Sequence, residues 1–176
     1  MSYFHQQSVR LNFRKLKSSD IESWAEFFVD NTNLHYLGLM NALENEKLND
    51  LELSESWINK QFVRYEESGF GLLAIELKST GELIGQAGIM RKEVDGETCY
   101  EVGYSIKPKF WRQGFASEMS AQLIDYAVEN KVSDKLISII HIDNIGSIKI
   151  AERNKMQIVR TSRYADMDVF IYGREL

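Results

Sequence analysis

The alternation of hydrophobic and polar residues predicts that this chain mixes strands with amphipathic helices. Alternation at residues 9–16 predicts a first strand, and Ser19 with Glu22 predicts a capping box for a helix through Val29. Apolar residues later recur at helical spacing. This periodicity predicts a short helix within residues 31–50, interrupted at Gly38, and longer helices at residues 54–67 (capped by Ser54), 115–130 and 144–154.

Runs rich in β-branched and aromatic residues predict the strands of one sheet. Three consecutive runs are separated by turn signals, including Asp95-Gly96, and so predict an antiparallel meander. A right-handed crossover through the 115–130 helix places the strand at 135–141 parallel to the strand at 98–106. The predicted strands cover residues 71–77, 83–92, 98–106, 135–141, 157–163 and 167–172. We therefore predict an α+β (mixed α/β) fold class with a central mixed, mostly antiparallel sheet.

Composition narrows the class of protein. The 176 residues include one Pro and no linker or repeat, which predicts a single domain over residues 1–176. A net charge of −5 without a Lys/Arg run argues against a nucleic-acid partner. No apolar stretch is long enough to span a membrane, and residues 1–10 lack a secretory signal. With Cys99 as the single cysteine, we expect a cytoplasmic protein, and the three dispersed histidines predict no metal site.

A candidate anion-binding segment is residues 108–118, which connect the predicted strand at 98–106 to the crossover helix. The amides at a helix start are unpaired and can hold a phosphate group. Gly114 permits close approach of the backbone, and Lys109 and Arg112 add positive charge. The alternative is a plain loop in which Gly114 only makes the turn.

This segment, WRQGFA at residues 111–116, resembles motif A of the GNAT N-acetyltransferases, Gln/Arg-x-x-Gly-x-Gly/Ala. Trp111 stands where the motif has Gln or Arg. However, Phe110-Trp111 before a Gly-Phe-Ala sequence is similar to the branch that acetylates the N-termini of ribosomal proteins. EVGY at 101–104 resembles the central strand of that branch, and NIGS at 144–147 resembles its motif B. Lys155 stands where the family often has Gly after the last helix, so we expect Asn154 to adopt the left-handed C-cap conformation.

The resemblance implies a fold with helices on both sheet faces and with parallel central strands that splay apart. It implies acetyl-CoA as cosubstrate and a primary amine as acceptor, either a protein N-terminus or a small molecule, attacking directly in a ternary complex. The pantetheine arm would lie between the splayed strands, helped by a bulge near Gly103. Cofactor contacts are expected from Arg112, Gln113, Gly114, Phe115, Ala116 and Ser117 to the pyrophosphate, from backbone near Ser105 and Ile106, and from Asn144 to the arm.

Two side chains are candidates for catalysis within this resemblance. Glu101 is the candidate general base for the acceptor amine, directly or through water, and Ser147 is the candidate proton donor to the departing thiolate. The alternatives are a solvent-facing strand residue at 101 and one polar helix residue at 147. Asn144 is equally suited to be only a helix N-cap.

Other functions remain open on sequence alone. One alternative is a regulatory module that binds CoA at the motif A amides without transferring an acetyl group. Another is a dimerising scaffold or homodimer, which the hydrophobic strand at residues 169–172 suggests. Contacts with the acceptor amine are expected from residues 31–50 and from the hairpin formed by the predicted strands at 157–163 and 167–172. The acidic residues Glu44, Glu46, Asp50 and Glu52 would attract a cationic acceptor there, or form a solvated loop.

Overall fold

A computed structural model describes residues 2–38, 48–94 and 96–176, and eight strands of this part form one sheet in the order β1-β2-β3-β4-β5-β6-β8-β7. Every neighbouring pair is antiparallel except β5 and β6, which are parallel. The mixed, mostly antiparallel sheet was predicted correctly. The strands are β1 (His5–Gln7), β2 (Leu11–Arg14), β3 (Gly71–Leu77), β4 (Leu83–Val94), β5 (Glu97–Ile106), β6 (Lys135–His141), β7 (Gln157–Tyr164) and β8 (Met167–Glu175).

Helices cover both faces of this sheet, as the resemblance implied. Consecutive β4 residues show this, because neighbouring side chains on a strand point to opposite faces. Gln86 accepts a hydrogen bond from Trp57 on one face, whereas a Cβ at Gly85 would meet Met119 on the other. The described helices are α1 (Ile21–Ala25), α2 (Asp50–Ser68, which carries Trp57), α3 (Phe115–Glu129, which carries Met119) and α4 (Ile145–Arg153).

The N-terminal elements differ from the prediction. A strand, β1, precedes the predicted one, and β2 spans only Leu11–Arg14. The helix expected through Val29 ends at Ala25, and turns follow because Phe27 and Phe28 are both buried against Trp57. Its start is organised by Asp20, which accepts from the Lys17 amide, rather than by Ser19.

Helix α2 begins four residues earlier than predicted. Asn49 is its N-cap and accepts from the amides of Leu51 and Glu52, while Glu52 accepts from the Asn49 amide. This is a capping box. Ser54, the predicted cap, lies inside the helix and donates to the Ile21 carbonyl at 2.6 Å, so it joins two helices.

Two further predictions concern loops. A short 3-10 turn, Leu34–Leu37, ends at Gly38 with a left-handed φ of 67°, in agreement with the predicted interruption. The rest of that predicted helix, with Glu44 and Glu46, lies at residues 39–47, outside the described part, and so does Asp95 of the predicted hairpin turn. Gly96 of that turn has a φ of 82°.

The end of α4 corrects another expectation. Asn154 has a right-handed φ of −80°, and Lys155 adopts the left-handed conformation at 60°. Asn154 is held in place because its side chain donates to the Ser120 hydroxyl at 2.7 Å and its carbonyl accepts from Arg174. The strained position therefore moves one residue along, to the place where the family often has Gly.

Candidate active site

The central feature of the molecule is a fork between β5 and β6. The two strands pair only at Tyr100 with Leu136 and at Glu101 with Ile137. The Ser138 hydroxyl then donates to the Val102 carbonyl at 2.9 Å, at the point where pairing stops. Beyond it β5 stays paired to β4 through residue 106, and β6 to β8 through residue 141. The parallel strands splay apart, as the resemblance implied.

The predicted bulge near Gly103 is wrong. Pairing of β5 with β4 continues without a register shift from Ile106 opposite Gly85 to Glu97 opposite Val94. A Cβ at Gly103 would lie 2.6 Å from the end of the Met90 side chain. Gly103 thus leaves room for Met90, and the fork forms because β6 follows β8 away from β5.

Backbone groups of β5 face the fork at alternate residues. The Lys107 amide donates to the Ile84 carbonyl, so residue 107 faces β4 and, by alternation, so does Ser105. Tyr104 and Ile106 then direct their backbone groups toward the fork. Of the two residues predicted to bind through their amides, Ile106 is placed for it and Ser105 is not. Ser105 instead contributes its side chain to the cavity described below.

Trp111 connects this strand to the motif A loop. Its indole N–H donates to the Ile106 carbonyl at 2.8 Å and so satisfies one of the backbone groups that face the fork. A glutamine or arginine at this position also carries N–H donors. The departure from the family motif at this position therefore keeps a donor there.

The loop between Trp111 and α3 exposes its backbone. Arg112 and Gly114 have left-handed φ angles of 62° and 80°, and Gly114 is the N-cap without a capping side chain. Within the described part of the chain, no acceptor meets the amides of residues 113–117. These amides, at the positive end of the α3 dipole, suit an anion.

Arg10, which no sequence pattern indicated, lies immediately before β2 and contacts this loop. Its Nε lies 2.6 Å from a Glu118 carboxylate oxygen, it donates to the Gln113 carbonyl at 3.1 Å, and its guanidinium stacks 4.2 Å from the Phe115 ring centre. Burial alone would raise the pKa of Glu118, but hydrogen bonds from Ser8 and Arg10 outweigh it and lower that pKa. No local pattern could reveal contacts between residues 108 positions apart.

Lys109 does not supply the positive charge that was expected of it. Its ammonium group lies 3.0 Å from Glu26 and 2.8 Å from Glu82, so two carboxylates already neutralise it. Arg10 is likewise paired, with Glu118, whereas Arg112 lies beside the loop with an exposed side chain.

A cavity of about 470 Å³ opens from the fork toward α2. Its walls include both edges of the fork, the start of α4, the β7–β8 hairpin and the face of α2 that carries Ser56, Lys60 and Arg64. Of the residues predicted to form the site, it brings together Glu101, Ser105, Asn144 and Ser147. The other predicted residues, 106 and 112–117, lie outside its lining.

Glu101 lies in this cavity and is 6% exposed, so it is not the solvent-facing residue considered above. One carboxylate oxygen is 2.5 Å from the Lys92 ammonium, which also donates to the Tyr164 hydroxyl at 3.1 Å. Burial alone would lower the pKa of Lys92, but Glu101 and Tyr164 outweigh it and raise that pKa. The other oxygen, Oε1, lies on the side of Gly103, 3.9 Å from where a Cβ there would be.

The start of α4 meets β5 across the fork. Asn144 is the N-cap of α4 and accepts from the Ser147 amide at 3.1 Å, which is the alternative role that was considered for it. The side chains of Ser147 and Tyr104 both line the cavity at this point. Burial raises the pKa of Tyr104 to about 12, although Ser147 lowers it somewhat, so this phenol is protonated at neutral pH. Tyr104 belongs to the EVGY motif at residues 101–104, and that motif alone did not indicate a role for its side chain.

No three potential metal ligands cluster in residues 2–38, 48–94 and 96–176. No helix within those ranges has the length and apolar character needed to cross a membrane.

Comparison with known proteins agrees with this geometry. The chain is 30% identical to the protein YkkB of Bacillus subtilis over 130 residues, 73% of this chain and 74% of YkkB. It is 28% identical to the N-acetyltransferase YoaA of the same species over 141 residues, 80% of this chain and 76% of YoaA.

Solved structures share the fold. An acetyltransferase from Agrobacterium tumefaciens superposes with a TM-score of 0.79 at 24% identity, covering 98% of this chain and 94% of that one. RimL, a ribosomal L7/L12 α-N-protein acetyltransferase solved with coenzyme A, gives 0.76 at 16% identity, with 96% of each chain covered. The family model for the acetyltransferase (GNAT) domain matches residues 10–157. The chain therefore belongs to the GNAT family of acetyltransferases, which use acetyl-CoA as acyl donor.

Proposed function

We propose that this enzyme transfers the acetyl group of acetyl-CoA to a primary amine by direct attack in a ternary complex. The observation that carries the proposal is the fork between β5 and β6, which opens into the cavity. One end of the fork begins beside the loop of unpaired amides, through Trp111. The cavity offers a carboxylate, Glu101, on the face covered by α2.

The chain's residues fit the donor substrate in two places. The amides of residues 113–117 suit a pyrophosphate, with Arg112 as an exposed cation nearby, while Arg10, paired with Glu118, holds the loop in place. The pantetheine arm, which carries amides of its own, fits along the fork, where the backbone groups of Tyr104 and the amide of Ile106 face outward from β5. Asn144, already the N-cap of α4, stands beside the arm.

The acceptor amine attacks the thioester carbonyl from the cavity side. As the new N–C bond forms and the C–S bond breaks, the amine must lose a proton, and Glu101 Oε1 takes it directly or through water. The thiolate leaves on the side of Tyr104 and Ser147. Tyr104 donates a proton to it, and Ser147 orients or relays that proton.

Turnover with a panel of amines tests this proposal. Release of free thiol from acetyl-CoA should depend on an added amine, whether an N-terminal peptide or a small amine. Binding of acetyl-CoA without amine-dependent thiol release would indicate a CoA-binding regulatory module and would contradict the proposal.

Glu101→Gln tests the base. We expect amine-dependent turnover to fall roughly a hundredfold or more, with unchanged affinity for acetyl-CoA. Glu97→Gln, on the same strand but exposed, is the matched control. A melting curve must accompany the variant because Lys92 loses its partner. Wild-type turnover by a folded Glu101→Gln enzyme would remove the base assignment.

A further inference from the structure

Positive charge is concentrated where α2 and β4 line the cavity, although the protein as a whole has a net charge of −5. Lys60 and Arg64 line the cavity from α2, and Lys92 lines it from β4. Glu101 is the one carboxylate among the described lining residues, and it is paired with Lys92. Among residues 2–38, 48–94 and 96–176, no carboxylate lies within ion-pair distance of Lys60 or Arg64.

Helix α2 separates its charges by face. Ser56, Lys60 and Arg64 are four residues apart, so they lie in one row along the helix, and all three line the cavity. The helix also carries Asp50, Glu52, Glu55, Glu66 and Glu67, and none of these lines the cavity. The cavity face of an otherwise acid-rich helix is therefore cationic.

The two cations retain free donors. Arg64 donates from Nη1 to the Gln61 side chain at 3.1 Å and to the Met90 sulfur at 3.3 Å, and both partners are neutral. Across the described chain Lys60 has no ion pair or hydrogen bond. Burial lowers the pKa of Arg64, although Glu101 and Tyr164 raise it in part, and burial together with Arg64 and Lys92 lowers the pKa of Lys60. A bound anion would offset the repulsion between these like charges.

On the basis of the proposed function, we propose that the acceptor is a primary amine that also carries an anionic group, a carboxylate or a phosphate. Lys60 and Arg64 bind the anion, and the amine points to the fork near Glu101. This arrangement fixes the acceptor at both ends. The positive surroundings also favour the neutral, nucleophilic form of the amine over the ammonium form.

Matched pairs of amines that differ only in charge test the proposal. Suitable pairs are γ-aminobutyrate with its amide, phosphoethanolamine with ethanolamine, and peptides that begin Ser-Asp or Ser-Asn. Calorimetry with the CoA-loaded enzyme gives affinity, and thiol release with acetyl-CoA gives kcat and KM. We expect the anionic member to bind about tenfold to a hundredfold more tightly in at least one pair. Comparison of the pairs that carry a carboxylate with the pair that carries a phosphate shows which anion is preferred.

Variants assign the effect to the two cations. Arg64→Gln and Lys60→Gln should each reduce the preference for the anionic amine, mainly through KM, without changing affinity for acetyl-CoA. Arg91→Gln removes the same charge from an exposed residue beside Lys92 on the opposite face of β4, and should keep the preference. A melting curve for each variant excludes loss of folding.

The outcomes separate this inference from the proposed function. Equal or tighter binding of the neutral amines, with turnover intact, overturns the inference and leaves the acetyltransferase assignment standing. Absence of turnover with every amine overturns the proposed function. In that case calorimetry of the anionic and neutral amines with the wild-type and Arg64→Gln proteins still decides whether the cation pair binds anions.

Discussion

Gly114 illustrates how one residue can carry both a conformation and a function. Its φ of 80° lies in the region that disfavours residues with a Cβ, and it places the amides of residues 113–117 at an exposed helix start. The motif identified Gly114 from the sequence because a glycine at a left-handed helix start is part of a short local pattern. Arg10 and Lys92 leave none, since their partners are distant in the chain.

Gly114→Glu should abolish most of the affinity for acetyl-CoA. The carboxylate would repel the pyrophosphate, and the left-handed conformation would cost about 1–2 kcal/mol of folding free energy. We expect a roughly hundredfold rise in the dissociation constant measured by calorimetry. Gly69→Glu is the matched control, because Gly69 has a φ of 73° at the end of α2 and nothing within 4 Å of an added Cβ. Unchanged affinity in a folded Gly114→Glu protein would contradict binding of the pyrophosphate by the amides of residues 113–117.

Tyr104→Phe tests the proton donor. A phenol with a pKa of about 12 keeps its proton at neutral pH, so removing the hydroxyl should lower kcat by roughly a hundredfold and leave acetyl-CoA affinity unchanged. The effect should be smaller with a donor substrate whose thiol is more acidic, because that thiolate needs less help to leave. Ser147→Ala should have a weaker effect in the same direction. If Tyr104→Phe turns over at the wild-type rate, solvent supplies the proton.

At the scale of elements, periodicity predicted the types and order of the later elements, and it failed at their ends. Helix α2 shows why: Asn49 and Ser54 are both good caps, and only the contact of Ser54 with Ile21 explains why Ser54 lies within the helix. Likewise β1 is three residues long, too short for its alternation to be recognised. Tertiary contacts, which no local pattern contains, decide these boundaries.

The C-terminus of α4 gives a stability prediction. Lys155 occupies a left-handed conformation at φ 60°, so Lys155→Gly should stabilise the protein by about 0.5–1 kcal/mol, or roughly 2 °C in Tm. Asn154→Gly should instead destabilise it by about 1 kcal/mol, because the bond to Ser120 is lost. Thermal melts of both variants check the assignment. The opposite order would mean that Asn154 carries the left-handed cap.

At the scale of the whole molecule, the fork follows from topology. β6 pairs with β8 along its whole length and with β5 at only two positions, so the sheet stays continuous at one end and divides at the other. The crossover rule predicted that β5 and β6 are parallel neighbours, and only the family resemblance indicated that they separate. The cationic cavity was not predicted, because the sequence pattern does not show which residues of α2, β4 and β5 share it.

The account depends on acetyl-CoA lying in the fork along β5. Amide hydrogen exchange, followed residue by residue by NMR with and without saturating acetyl-CoA, tests this directly. Exchange at Tyr104 and Ile106, which face the fork, should slow by roughly tenfold or more, whereas Ser105, which faces β4, should change little. Unchanged exchange at both Tyr104 and Ile106 in the saturated protein would contradict the account.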